Sequence, residues 1–398
     1  MREDESTRTL EAKGCCVCGS AKTRDFFTLT QIPVQDGLLY PTRPLALQAP
    51  VGDIRLAFCP SCGHISNRSF EPAKLRYDAD YEASLHHSPT YANFLRDLAR
   101  RLTEDHRLQG KTILEIACGN GDFLRLLARF AGGRGIGFDP SLRVGEADTD
   151  GGRLEFVADF YSERYAGREA DFVCCRHMLQ ILPDPRPLLK TLWTALGDRA
   201  VPVYFEVPNA LRMFRDDILW YVTYEYCSFF TPTSLARLFE SSGFEVLALS
   251  DCFGGDYLGI EARPADGVRP ARDRRSEVAA IARDVGRFGR AAEEMLARWE
   301  ARLEELRRAG RRVAAWGAGG RAITFFSQLH VGDEIPYVAD INPNRQGRFL
   351  PRTGQRVVAP EVLREYRPDA VIITNPTFEA EIREQARGLG LASDFLVL

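Results

Sequence analysis

The stretch Ile113-Leu114-Glu115-Ile116-Ala117-Cys118-Gly119-Asn120-Gly121-Asp122-Phe123-Leu124 constrains this chain more than any other. The apolar run reads as a buried parallel strand. Two glycines let backbone N–H groups approach a ligand, and Phe123-Leu124-Arg125-Leu126-Leu127 opens an amphipathic helix. Strand, glycine turn and helix in that order make an α/β nucleotide-type unit and point to a nucleoside-type cofactor. The next strand, Gly135-Ile136-Gly137-Phe138, ends on Asp139. That places a carboxylate about twenty residues past the turn, where such folds use an acid to hold ribose hydroxyls.

Glycine spacing separates the cofactor classes. Dinucleotide sites carry G-x-G-x-x-G, whereas residues 115–121 resemble the E-x-x-x-G-x-G of class I S-adenosylmethionine-dependent methyltransferases. The resemblance implies S-adenosylmethionine as cofactor. It sets Glu115, Gly119, Asn120 and Gly121 beneath the methionine part, with Ala117 on the same turn, Asp139 on the ribose and Asp159-Phe160 beside the adenine. Tyr81, from a segment that can lie over the pocket, completes the cofactor-binding set. A bare strand-helix turn would need Asp139 and Asp159 to fall where they do by accident.

A chain of 398 residues is too long for one ordinary core and suggests two or three domains. With 45% hydrophobic and 27% charged residues it is globular, and a net charge of -3 gives no general attraction to nucleic acid or acidic membrane. Apolar runs are strand-sized, short of the roughly twenty residues needed to cross a bilayer. Residues 1–6 are polar and lack the apolar core of a signal peptide, so the expected location is cytoplasmic. In that compartment paired cysteines are metal ligands more often than disulfides. Cys15-Cys16-Val17-Cys18-Gly19 and Cys59-Pro60-Ser61-Cys62-Gly63 are two C-x-x-C-G knuckles. Cys15, Cys18, Cys59 and Cys62 form a closed tetrahedral set for a structural Zn2+, and Cys16 is the odd one out. The residues between the knuckles are expected to fold as strands at Leu38-Leu39-Tyr40 and Ile54-Arg55-Leu56-Ala57-Phe58. Few basic residues surround the knuckles, which argues against a nucleic-acid module.

Beyond Phe70 the polar, aromatic stretch 77–88 can act as a lid or serve as a plain surface connection, and His86 and His87 fit either role. Residues 91–106 carry helical spacing at Phe94, Leu95, Leu98 and Leu102. Strands follow at 171–175, 203–209 and 244–247, with helices at 187–196 and around Leu235, Leu238 and Phe239, a β/α order that predicts a doubly wound sheet. Residues 176–185, His177 among them, leave the carboxyl end of a strand, where open sheets hold ligands. Residues 271–310 read as a long amphipathic helix with possible breaks at Gly286 and Gly289. Its stripe is too short and irregular for a coiled coil and suits packing on a neighbouring domain, leaving the chain a monomer or weak homodimer. Then Arg312-Val313-Ala314-Ala315-Trp316-Gly317-Ala318-Gly319-Gly320-Arg321 repeats the strand, glycine turn and helix, with Asp340 ending the next strand. This second turn suits a substrate nucleotide, a phosphate or simple close packing.

The knuckles, the first turn, Tyr224-Glu225-Tyr226-Cys227-Ser228-Phe229-Phe230, and Gly317-Ala318-Gly319 with residues 340–347 together resemble the bacterial sugar C-methyltransferases. Those enzymes methylate C3 of nucleotide-linked 4-keto deoxysugars in antibiotic pathways. The resemblance covers nearly the whole chain and implies an α/β protein in three parts: a small zinc-binding domain (1–75), a class I methyltransferase Rossmann-like domain (76–265), and a C-terminal Rossmann-like substrate-binding domain with a leading helix (266–398). The implied partner is a small-molecule substrate, a sugar nucleotide, with neither nucleic acid nor membrane. Two histidines of the family are absent: Ile181 and Tyr226 stand in their places, and a His-Gly-Gly-Ser turn becomes Phe253-Gly254-Gly255-Asp256. Making a carbon nucleophile beside a ketone needs a base and a donor for the enolate oxygen. A phenol with an ordinary pKa of about 10 is a poor base and a good donor. The candidates are therefore Glu225 as base, with Tyr224 or Tyr226 on the oxygen. His177 comes forward if the acceptor is a nitrogen or oxygen. The remaining alternative is a protein that binds S-adenosylmethionine without transferring its methyl group.

Overall fold

A computed structural model of the protein describes residues 14–77, 81–82, 84–142, 153–265 and 272–398. Residues 1–6, 78–80, 83 and 271, on which parts of the reading above drew, lie outside these. The chain opens with three antiparallel strands, β1 (Arg24–Pro33), β2 (Val51–Phe58) and β3 (Ile65–Asn67), with the short helix α1 (Arg43–Leu47) between the first two. Leu38 and Leu39 are buried but not in a strand, and only Tyr40 pairs, as an isolated bridge to Phe349 of the C-terminal part. The expected strand at 38–40 is therefore replaced by a loop pinned to the C-terminal part of the chain.

Helix α2 (Pro89–Asp105) starts on Ser88, whose hydroxyl accepts the Tyr91 N–H, with a proline at its first position. The central sheet follows through β4 (Thr112–Ile116), α3 (Asp122–Ala131), β5 (Arg134–Phe138), β6 (Leu154–Val157), β7 (Phe172–Arg176), α4 (Arg186–Leu196) and β8 (Val203–Pro208). These five strands are parallel, in the order β6-β5-β4-β7-β8. Helices cover both faces, so β4, β7 and β8 are buried almost throughout and read as continuous apolar runs. After α5 (Ala210–Arg215) the chain returns to the first sheet: β9 (Ser228–Phe229) pairs antiparallel with β3. Helix α6 (Pro232–Ser241), closed by a Thr231/Ser234 capping box, then leads to β10 (Phe244–Cys252) and β11 (Tyr257–Pro264). β11 is antiparallel to both β8 and β10, so the sheet is doubly wound with an antiparallel edge, not parallel throughout.

Helix α7 (Arg275–Arg308) runs unbroken for 34 residues. A glycine inside a helix costs about 1 kcal/mol, and the burial of Val278, Ile281, Val285, Phe288 and Ala292 outweighs Gly286 and Gly289. The C-terminal part holds β12 (Val313–Trp316), α8 (Gly320–Gln328), β13 (Tyr337–Ala339), β14 (Arg356–Val358), α9 (Leu363–Tyr366), β15 (Ala370–Ile373), α10 (Glu379–Gly388) and β16 (Asp394–Val397). Its parallel sheet runs β14-β13-β12-β15-β16, a second Rossmann-like layer. One apolar cluster joins the first sheet, α5, α7, α8 and β12. At its centre the Phe288 ring meets Phe27 and Phe214 edge-on at 5.0 and 4.8 Å. Among the described residues no helix is long and apolar enough to cross a membrane.

Phe288→Ala should destabilise the protein by about 3–5 kcal/mol, the range for emptying a packed aromatic site. Urea unfolding followed by tryptophan fluorescence checks this; a loss below about 1 kcal/mol would mean the three parts are not held through this cluster.

Candidate active site

A cavity of about 620 Å³ lies between the central and C-terminal sheets, and both glycine turns line it. The first turn leaves β4 through Ala117, held at a positive φ of 57°, and His177 sits at 55° just beyond the neighbouring β7. Non-glycine residues in the left-handed region carry strain and gather at functional sites. A Cβ added to Gly119 would meet nothing within 4 Å, so the backbone leaves an open cradle there. Asp139 accepts the Gly119 N–H at 2.9 Å and the Ser141 N–H at 2.8 Å. Glu115 is buried with Oε2 unpartnered, and burial pushes its pKa up to about 8, with Arg176 opposing. Glu115, Ala117, Gly119, Asn120, Asp139, Asp159, Phe160 and Tyr81 all line the cavity. Asp159 accepts from the Tyr165 hydroxyl and the Phe160 N–H, which lower its pKa. Gly121 differs from the expectation. At φ 81° it starts α3, and a Cβ there would fall 2.3 Å from the Phe156 ring, so it packs the turn and does not face the cavity.

An open cradle, a buried carboxylate oxygen without a partner, and an acid at the end of β5 suit a cofactor with an amino-acid part and a ribose. The second turn follows the same plan with a different outcome. Asp340 accepts from Ala318 N–H and Asn342 N–H, both at 2.8 Å, and also receives Arg345 Nη1 at 3.3 Å. Its anionic charge is already answered by the protein.

Glu225 and Tyr226 line the cavity. Glu225 is buried; its Oε2 accepts the Asp36 N–H at 2.9 Å and its Oε1 the Tyr81 hydroxyl at 2.7 Å. Burial raises its pKa, against those two bonds. Burial lifts the Tyr226 phenol well above its ordinary value, so it is a donor and not a base. Tyr224 is displaced from the expected role. Its ring stacks on Phe70 and crowds Gly52, and its hydroxyl accepts the Glu71 N–H at 2.9 Å, so it packs the first sheet outside the cavity. His177 lines the cavity with Nε2 3.1 Å from Glu206 Oε1, and burial lowers its pKa. Glu206 is buried, yet Arg176 at 2.7 Å and His177 hold it down to about 2.

Away from the cavity, the sulfurs of Cys15, Cys18, Cys59 and Cys62 lie within 4.8 Å of one another, with Cys15–Cys62 and Cys18–Cys59 at 3.6 Å. The two knuckles close alike, Gly19 N–H on Cys15 O and Gly63 N–H on Cys59 O. Zinc–sulfur bonds of about 2.3 Å put tetrahedral sulfurs about 3.8 Å apart, so the donor set is compatible with zinc. Cys16 Sγ lies 3.3 Å from His64 Nε2, outside the set.

Residues 85–249 match the family described as "Methyltransferase domain", and residues 271–395 match "C-methyltransferase C-terminal domain". The protein is an S-adenosylmethionine-dependent methyltransferase with a C-methyltransferase C-terminal domain. It is 26% identical over 291 residues to the C-methyltransferase NovU of Streptomyces niveus, covering 69% of this chain and 68% of that one. It is also 26% identical over 157 residues to the ubiquinone biosynthesis O-methyltransferase of Cupriavidus pinatubonensis, covering 36% of this chain and 63% of the other. A solved magnesium protoporphyrin IX methyltransferase from Synechocystis PCC 6803 with bound SAH is 17% identical, covering 44% of this chain and 84% of that one at a TM-score of 0.35.

Asp36 and Glu206 were not legible as site residues, and Arg176 was legible only as part of the segment that leaves β7. Asp36 stands 189 positions from Glu225, and only the folded chain puts them together.

Asp139→Ala should weaken S-adenosylmethionine binding by about 1.5–3 kcal/mol, the range for hydrogen bonds to a charged group. Calorimetry checks it; an unchanged Kd would mean that Asp139 only staples Gly119 and Ser141.

Proposed function

We propose that the protein methylates a carbon next to a ketone in a nucleotide-linked deoxysugar, by way of an enolate. The observation that carries this reading is Glu225, a buried carboxylate with a raised pKa in the cavity that also holds the first glycine turn. The match to a C-methyltransferase C-terminal domain supports transfer to carbon. The sugar nucleotide rests on the sequence resemblance.

Glu115, Gly119 and Asp139 are the residues to hold S-adenosylmethionine, which when bound supplies an electrophilic methyl carbon. Glu225 takes the α-proton, the C–H electron pair stays on the acceptor as an enolate, and the Tyr226 hydroxyl donates to the developing oxyanion. Because burial raises Glu225, its ionised form, and turnover with it, fades as pH falls through a range above that of an ordinary carboxylate.

Methyl-labelled S-adenosylmethionine incubated with nucleotide-linked 4-keto deoxysugars should give S-adenosylhomocysteine and a product whose new methyl is bonded to carbon by NMR. A methyl on nitrogen or oxygen overturns the reading. Glu225→Gln should abolish turnover with cofactor affinity intact, and Tyr226→Phe should lower the rate without changing the product. If both variants stay active, His177 becomes the candidate base and the acceptor atom is not carbon.

The four-cysteine cluster is assigned a structural zinc, since four protein thiolates leave no open position for chemistry. Protein purified under reducing conditions should contain stoichiometric zinc by metal analysis. Cys18→Ser should lose it and lower the unfolding midpoint while S-adenosylmethionine affinity changes little; zinc-free, fully stable wild-type protein overturns the assignment.

A further inference from the structure

We propose that Asp36 and Glu225 act as a carboxylate pair holding one proton and one negative charge between them, with Asp36 keeping the proton so that Glu225 remains the proton-accepting member. The catalytic meaning of the pair rests on the reading of Glu225 above. Asp36 belongs to the first part of the chain and Glu225 to the loop that returns to it, yet both line the cavity. The Asp36 N–H donates to Glu225 Oε2 at 2.9 Å, which ties the turn carrying one acid directly to the other. The Asp36 carboxyl group is wedged on the first residue of α8: a Cβ on Gly320 would fall 2.4 Å from Oδ2 and 3.2 Å from Oδ1. The Asp36 carboxyl group is therefore packed closely against the start of α8.

The groups facing the pair make a second charge costly. Tyr77, Tyr81 and Tyr226 surround Glu225 and Asp36, all with phenols lifted above their ordinary pKa by burial. Arg345 is the cation that acts on Asp36, and it is bonded to Asp340 at 3.3 Å and to the Glu82 carbonyl at 3.2 Å. Two carboxylates in such a site do not both ionise near neutral pH, and their titrations belong to the pair. Burial first, and the Glu225 charge second, push Asp36 well above the usual carboxylate range. Glu225 rises too, but two hydrogen bonds, from Asp36 N–H and Tyr81, favour its ionised form. The Thr223 hydroxyl and Arg345 oppose the rise at Asp36, but its carboxyl group has neither of the two short hydrogen bonds that Glu225 accepts, and this assigns the proton to Asp36.

The proton balance is simple. At rest the pair has charge minus one. The acceptor C–H bond breaks, its proton forms an O–H bond at Glu225, and the electron pair and negative charge pass to the acceptor as the enolate, so the pair is neutral while the enolate exists. Glu225 then returns that proton to water. Asp36 acts through Glu225 and is a positioning residue: it sets the upper edge of the pH range in which the cavity carries a single negative charge.

The first test needs no turnover, so it separates this proposal from the choice of substrate. In infrared difference spectra at neutral pH, wild type minus Asp36→Asn should show the C=O stretch of a protonated carboxylic acid, and wild type minus Glu225→Gln the stretch of a carboxylate. A carboxylate band lost with Asp36→Asn overturns the pair as assigned, whether or not any sugar is methylated. The second test is the pH profile of kcat once an acceptor is in hand. Wild type should lose activity on both sides of its optimum. Asp36→Asn, which keeps a neutral group of the same shape, should keep the acid limb, lose the alkaline one and lower kcat far less than Glu225→Gln does. An alkaline limb that survives Asp36→Asn, or a variant as inactive as Glu225→Gln, overturns the proposal. Equal thermal unfolding midpoints at the optimum show that folding is not what changed.

Discussion

A carboxylate taken out of water must find donors, and the way each one finds them separates those in and around this cavity. Glu206 has the Arg176 guanidinium and is a fixed charge. Asp256 has Arg212 and Arg321 at 2.8 and 2.9 Å, with the Thr377 hydroxyl at 2.6 Å, and clamps the central sheet to the C-terminal one. Asp340 has Arg345. Glu225 instead receives a backbone N–H and a phenol, and Glu115 keeps one oxygen without any partner. Carboxylates answered by arginine have their counter-charge within the protein. Those answered by neutral donors, or by nothing, retain a protonation state that a ligand can change.

The two glycine turns illustrate the same rule. Both present an acid that accepts an N–H from the turn and a second from two residues further on, Gly119 and Ser141 for Asp139, Ala318 and Asn342 for Asp340. They diverge in what else arrives. Arg345 closes on Asp340 and Asp36 presses on Gly320, whereas the Cβ direction at Gly119 is open. The second turn therefore lines the cavity with its charge already matched, while the first leaves its cradle open.

What the sequence disclosed follows the range of the interactions involved. Strand, turn and helix at 112–131, the cysteine knuckles and the second Rossmann-like unit are local patterns, and each stands where its residues predict. The helix at 275–308 was legible as a stripe, but its continuity past Gly286 and Gly289 depends on phenylalanines from β1 and α5. Tyr224 and Tyr226 could not be told apart in the sequence. They are two positions apart, and the first is drawn to Phe70 and Glu71 in a different sheet. Asp36 had no local signature at all, because its importance comes from a neighbour far along the chain.

The return of β9 to the first sheet has a consequence for how such a protein can be assembled and exchanged. Strand β3 follows the second cysteine knuckle closely, but its partner Ser228–Phe229 is made only after nearly the whole central sheet. During synthesis the cysteine-bearing sheet must wait with a bare edge, an invitation to pair wrongly, while about half the remaining chain leaves the ribosome. The same stitch forbids modular inheritance. A recombination event between the first and central sheets would part β3 from its own β9, and with it the loop that delivers Glu225 to Asp36. The first sheet therefore cannot be exchanged as an independent block without also replacing the segment that carries Glu225.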